Sequence, residues 1–404
     1  MASLRERFLA VKRREMLEAV KTSILAGDTA GVQSELNRSR SLIGGPQMSS
    51  TAARIISGRV DGTLDHAGAS AEWLSLHHSL ASTSKPAVWF LLESLAQAVG
   101  CFAASASFGE SGFTAMARSR NVFTRFVGAL HSRNLPAAIE AWSARPRGSA
   151  SEWDDAGHYL WLWSGGNAGA PQWSTDSPWL SVVEGKAVTI VGPAPTGPSS
   201  VPVEQSSLVC RVIAPGVVDW PATDIAQGRC DLAYTNSKST KWFVAQGKAT
   251  ELERFRYLSY RTSSGDALGL ERSRVAFHHK NLLPMTWDRT NMVPLAAWDL
   301  LHVPGVQVSI TGTTFFASRT AYTANDVRFD AERNQSTDQA GSTGIVFERC
   351  VSFSHHNIGA HLTFMANLAE AGAVEFDREG SAVIAMSHRD YLREIDEFYG
   401  IPQV

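Results

Sequence analysis

The sequence predicts an α/β protein, a Rossmann-like parallel sheet domain preceded by an irregular all-α helical domain. Two observations carry that expectation. Up to about residue 146 the apolar residues recur with the helical period of about 3.6, whereas after residue 184 short continuous apolar runs alternate with amphipathic stretches. Several of those runs lead into loops of Gly, Pro, Thr and Asn, as parallel strands do where they turn into a crossover.

In the first region Leu4 to Leu25, Gly31 to Leu42, Trp89 to Ala104, Phe113 to Leu130 and Pro136 to Trp142 read as helices. Ala87 to Ser107 is the most apolar stretch, but Glu93, Gln97 and many small residues mark it as a buried helix and not a membrane span. Arg145 to Ser151 has the composition of a linker, giving a helical domain over 1–146. A connector over 147–184 follows, with Trp153, Trp161, Trp163, Trp173 and Trp179. Clustered tryptophans either stack on sugar rings or form a core between domains, and the second use is the commoner one.

The region 185–404 begins with a strand over Lys186 to Val191 that runs into Gly192-Pro-Ala-Pro-Thr-Gly-Pro198. Leu208 to Ile213, Leu232 to Thr235, Phe255 to Tyr260 and Val306 to Thr311 repeat the strand signal, with helices over Ser237 to Lys248 and Arg289 to Leu301. Ligands of such sheets lie beyond the carboxyl ends of the strands. Gly192 to Gly197, Ala214 to Gly216, Asn236 and Gly312 to Phe316 are therefore the default site.

The chemistry can be narrowed. A net charge of −2 offers no basic excess for nucleic acid. Cys101, Cys210, Cys230 and Cys350 form no Cys-x-x-Cys pair, which argues against zinc and a disulfide framework and points to a reducing, cytoplasmic compartment. The charged N-terminal segment lacks the apolar core of a signal peptide. No Gly-x-Gly-x-x-Gly occurs, Pro198 stands where a P-loop lysine would be, and Pro193 and Pro195 each lack an N–H, so a polyphosphate cradle is disfavoured. No Asp-x-Asp is present, and Asp154-Asp155 and Glu375-Phe-Asp377 are weak metal signals. His355, His356 and His361 cluster at the start of a helix whose Ile358, Leu362, Met365 and Leu368 form one apolar stripe. His356 and His361 are off the spacing that aims two imidazoles at one metal. They read either as a general base with its neighbours or as capping and core histidines.

Val188-Thr-Ile-Val-Gly-Pro-Ala-Pro-Thr196, Arg289-Thr-Asn-Met-Val, Ser309-Ile-Thr-Gly-Thr-Thr-Phe-Phe316, Tyr322 and the segment from His356 to Leu368 follow one another in this order. In that order they resemble the bacterial Rossmann-type sialyltransferases, over residues 185 to 400 and nothing before. The resemblance implies that Gly192 and Thr196 form the first nucleotide loop, with Asn236 the middle-strand contact. It makes Thr290 and Asn291 a helix start at the nucleotide, Gly312 the glycine closing the later strand, Tyr322 a phosphate donor and His356 the base. Arg289 would pair with a carboxylate, and Ser354 or His361 would orient the base. Pro193, Ala194, Phe316 and Asn291 depart from the family pattern.

The implied activity is that of a metal-independent inverting glycosyltransferase that moves a CMP-activated ulosonic acid, sialic-acid-like, to a glycan hydroxyl in glycan biosynthesis. It needs no cofactor beyond the CMP-sugar donor. Its partners are donor and glycan acceptor, with no nucleic acid and no transmembrane span; peripheral membrane contact stays open. Two alternatives remain: a non-catalytic helical adaptor carrying a degenerate transferase domain, and a glycosyltransferase using a UDP or GDP donor.

Overall fold

The computed structural model describes residues 4–80, 85–146, 152–173, 180–194, 203–213, 226, 228–260, 275–277, 291–317, 347–354 and 356–400. Before the sheet come α1 (Leu4–Ala26), α2 (Thr29–Arg38), α3 (Arg40–Ile43), α4 (Pro46–Asp61), α5 (His66–Ser79), α6 (Pro86–Ala98), α7 (Phe102–Ala117), α8 (Val122–His131), α9 (Leu135–Ser143), α10 (Glu152–Trp163) and α11 (Leu180–Val183). The second half holds β1 (Ala187–Val191), β2 (Leu208–Ile213), β3 (Leu232–Thr235), α12 (Ser237–Ala245), β4 (Tyr257–Tyr260), β5 (Val275–Phe277), α13 (Met292–Leu300) and β6 (Gln307–Thr311). The chain ends with α14 (Phe347–Ser354), α15 (Ile358–Glu370), β7 (Val374–Phe376), α16 (Arg378–Ile384) and α17 (His388–Ile395).

The fold is the α/β arrangement expected, a helical region followed by a parallel sheet. Among the described residues seven strands lie in the order β5-β4-β3-β2-β1-β6-β7, and every pairing is parallel. Parallel strands need return connections, so α12, α13 and α15 run back against the strands and start at the carboxyl edge of the sheet. Each start is marked by an asparagine, Asn236, Asn291 and Asn357. No helix among the described residues is long and apolar enough to cross a membrane.

Three expected helices are divided. Gly100 takes φ +79 between α6 and α7, a backbone that L side chains rarely adopt. Asn121 caps α8 by accepting from the Thr124 N–H at 2.9 Å, and Ser39 separates α2 from α3. The expected apolar stripe of α15 is in fact a helix buried on every side from Ile358 to Leu368. It is enclosed by β7, α8, α10 and α17, which is the setting of a helix apolar all round.

One continuous core runs from Phe102, Phe126 and Trp142 through Tyr159 and Trp163 to Ile190, Trp298, Leu362 and Tyr399. The tryptophans contribute chiefly here: Trp153 and Trp163 are buried. Trp153 packs its ring on Phe123, Phe126 and Trp142. Tyr159 stacks on Phe364 with centroids 4.9 Å apart. Trp161, half-buried, packs edge-on to Trp173, which is 37% exposed, and Trp179 lies outside the described residues. The C-terminal segment closes on the helical region. Asp396 Oδ1 accepts from the Phe102 and Ala103 N–H groups at 2.6 and 3.2 Å, capping α7, while its Oδ2 lies 2.9 Å from His66 Nε2.

Candidate functional site

From β1 the chain builds the sheet outward to β5, then returns to lay β6 on the other side of β1. Connections leave these two neighbours in opposite directions, and the crevice beyond their carboxyl ends is where such sheets hold ligands. The floor of that crevice is a crossing of two glycine turns. Gly192 N–H donates to Thr311 O at 2.8 Å, and Ala194 N–H to Gly312 O at 2.9 Å. A Cβ on residue 192 would stand 2.4 Å from Gly312 O, so only glycine permits the approach. Gly312 itself has φ +66.

Asp377, at the end of β7, locks this turn. Its Oδ2 accepts from Thr311 Oγ1 at 2.7 Å and from Gly312 N–H at 3.0 Å, and its Oδ1 accepts from Gly380 N–H at 2.7 Å to cap α16. Both oxygens of this buried carboxylate are thus engaged by the fold. Beyond Gly312, Thr313 and Thr314 are buried, and Phe315 and Phe316 hold φ values of 48° and 73°. Two successive non-glycine residues in the left-handed region cost of order 1–3 kcal/mol each, and such outliers gather at ligand sites. Tyr391 Oη donates to Phe315 O at 2.5 Å and holds the bend in place.

The second component is the bend between α14 and α15. His356, half-buried, stands just before the cap Asn357, whose Oδ1 accepts from Ala360 N–H at 3.0 Å. Its own N–H donates to Phe353 O at 2.9 Å and its carbonyl accepts from Ile358 N–H at 2.8 Å. His361 is buried, with its ring 6.2 Å from that of His356. Phe353 packs against Phe316 with centroids 4.7 Å apart, so the exit of β6 and the histidine bend meet. Ser354 Oγ donates back to Val351 O at 2.8 Å. Its carbonyl accepts from Lys21 Nζ and Ser94 Oγ, each at 2.9 Å.

Of the residues singled out in the sequence, Gly192 and Gly312 touch, and His356, His361 and Ser354 share one bend that adjoins them through Phe316. Asn236 lies two strands away at the end of β3, its Oδ1 accepting from Ser239 N–H at 2.8 Å as the cap of α12. Asn291 precedes α13 and makes no capping hydrogen bond with its side chain. Thr196, Arg289, Thr290, Tyr322 and His355 lie outside the described residues.

Sequence reasoning passed over Asp377 as a structural lock, the left-handed backbone at Phe315 and Phe316, and Lys21, Ser94 and His388, and it read Glu93 only as the polar mark of a buried helix. Only the Gly-Thr-Thr-Phe-Phe run carried a signal, since five residues that close a strand with a glycine mark a tight exit. The cysteines are free thiols. Burial pushes Cys101 and Cys230 up to about 12 and raises Cys210 and Cys350 as well. Such thiols are poor nucleophiles. Among the described residues no group of three or more His, Cys, Asp or Glu side chains is arranged to hold a metal ion. Compared with known protein families, curated proteins and solved structures, the chain gives no match.

Proposed function

We propose that the protein is an inverting glycosyltransferase resembling sialyltransferases, transferring a CMP-activated ulosonic acid to a glycan hydroxyl with His356 as general base. The observation that carries the reading is the meeting of the strained β6 exit with the His356 bend, Phe316 on Phe353 at 4.7 Å, at the switch point of a parallel sheet. A base beside a nucleotide crevice is what this transfer requires. The acceptor hydroxyl loses its proton to the His356 imidazole as its oxygen bonds to the anomeric carbon. The bond from that carbon to the phosphate oxygen breaks, and CMP leaves with the electron pair.

CMP carries a single phosphodiester charge in the donor, so hydroxyl donors and a helix N-terminus suffice to stabilise its departure without a divalent metal. Asn291, with its side chain outside any capping bond, and the start of α13 are the candidates for that contact. Arg289, Thr290, Tyr322 and Thr196 keep the roles the family resemblance gives them. A cytoplasmic setting belongs to the same reading, with peripheral membrane contact left open.

One observation favours the non-catalytic adaptor instead. In the first loop the Gly192 and Ala194 N–H groups are both spent on β6, and Pro193 has none, so this part of the loop offers no backbone donor to a phosphate. Thermal-shift measurements with CMP, UDP, GDP and NAD separate the readings. Selective stabilisation by CMP is expected, since a ligand at about a hundred times its Kd adds roughly 2.7 kcal/mol. Silence toward all four supports the adaptor, and a UDP or GDP response moves the donor class. The CMP response should persist in EDTA; a loss that Mg²⁺ or Mn²⁺ restores would end the metal-independent reading.

A further inference from the structure

We infer that the helical region seats the His356 bend, with Lys21, Ser94 and the Glu93–His388 pair as positioning residues for that imidazole. The inference rests on reading His356 as the base, but its geometry stands apart from any nucleotide. Ser354 is the last residue of α14, where backbone carbonyls have no partner within the helix. Its carbonyl instead receives two side chains from the helical region, Lys21 Nζ from α1 and Ser94 Oγ from α6, each at 2.9 Å and from sequence distances of 333 and 260 residues. Lys21 is only 2% exposed. An apolar side chain would fill that space without the cost of burying an ammonium, so the lysine is explained by the carbonyl it reaches and by the favourable end of the helix dipole.

The other flank of the bend meets His388 of α17, which is backed in turn by α6. Gly359, in the first turn of α15, leaves room for the His388 ring: a Cβ there would fall 2.1 Å from Cε1 and 2.3 Å from Nδ1. His388 Nε2 in turn lies 3.5 Å from Glu93 Oε1, with side chains 13% and 4% exposed. Gly109 makes the matching space on α7, since its Cβ would meet Glu93 Oε1 at 2.6 Å and His388 Nε2 at 2.9 Å. Phe113 sets its ring edge-on to His388 at 5.8 Å. Glu93 and Ser94 are consecutive, so one stretch of α6 holds residue 354 by a hydrogen bond and backs the His388 ring that packs on residue 359. His356 lies between those two fixed points. A shift of about 1 Å in such a support is enough to cost a base much of its rate.

The test is histidine ¹H–¹³C NMR on the full chain, with the His356 resonance assigned by His356→Gln. Ser94→Ala and Lys21→Met should each displace or split the His356 signal while His158 and His302, stacked on each other beside Trp298, stay in place. Glu93→Gln should move His388 and His356 together, and Ser94→Thr, which keeps the hydroxyl, should restore the wild-type position. A lowered melting temperature with an unmoved His356 signal in Ser94→Ala and Glu93→Gln would make these residues structural supports only and overturn the inference. Should Lys21→Met fail to fold, the Ser94 and Glu93 variants decide alone. Where transfer is measurable, kcat should fall about tenfold at unchanged KM for the CMP donor, and a moved signal with full kcat also overturns it. A wild-type protein that ignores CMP removes the transferase reading but leaves the NMR outcome to judge the seating of the bend.

Discussion

At the carboxyl end of the sheet the crossing of Gly192 with Gly312 is closed by backbone bonds between adjacent strands. The His356 bend beside it is held by side chains from helices hundreds of residues away. Each solution matches its task. A crossing must bring two backbones into contact, which needs missing side chains; a bend that aims one imidazole needs support on both flanks. The glycines that permit the crossing stand out in the local sequence, although Asp377 locks it from the end of β7, whereas the supports of the bend come from tertiary structure alone.

The largest expected effect separates the chemistry of the bend from its packing. His356→Ala should lower transfer by roughly a hundredfold or more, the usual worth of a positioned base, with CMP-induced stabilisation retained. His355→Ala is the control and His361→Ala should fall between them. Loss of activity in His355→Ala with full activity in His356→Ala would place the base one residue away.

On the crossing, Asp377→Ala should destabilise the protein by about 2–4 kcal/mol, because it takes a buried acceptor from the Thr311 hydroxyl and the Gly312 N–H and removes the cap of α16. Urea unfolding measures it, and an unchanged midpoint would mean that the Gly312 turn stands without the carboxylate. Gly192→Ala should cost about 1–3 kcal/mol through the forced approach to Gly312 O, and should weaken CMP binding as the floor of the crevice shifts. The same substitution with intact stability would show that the crossing yields easily.

The smallest effect is general. Cys101 and Cys230, pushed up to about 12 by burial, keep protons that an unfolded thiol releases near pH ~8.5. Their stabilising contribution is full below that pH and is lost as the pH rises toward 12. Tyr159, Tyr234 and Tyr391, also raised by burial, act in the same direction at higher pH. Unfolding midpoints should therefore decline from neutral pH to about pH 10, and a flat profile would mean that these groups open to water before the fold gives way.

What the sequence disclosed follows the same division. β1, β2, β3 and β6 are legible because their apolar residues run on or alternate, with Val, Ile and Thr prominent, up to a Gly, Asn or polar loop. β5 and β7, three residues each, are too short to show a period. α4 and α5 went unseen because Ser, Thr, Gly, Ala and His dilute their apolar faces. The all-apolar run around Gly100 gave no phase from which to expect a break. His356 reads at a helix start from the apolar residues that begin at Ile358, and the structure places it just before the cap Asn357; Gly192 and Gly312 read from the strand exits. Lys21, Ser94 and His388 carry no local mark at all, for their meaning lies in contacts the chain makes only when folded.

The cap that Asp396 places on α7 sets an order of events during synthesis. Phe102 and Ala103 wait for a partner 294 and 293 residues downstream, so α7 emerges from the ribosome long before its first turn can be finished. Contacts this distant slow folding and leave apolar surface open meanwhile. The helical region, although made first, would reach its final form among the last, and a nascent chain stalled before residue 396 should be a substrate for chaperones.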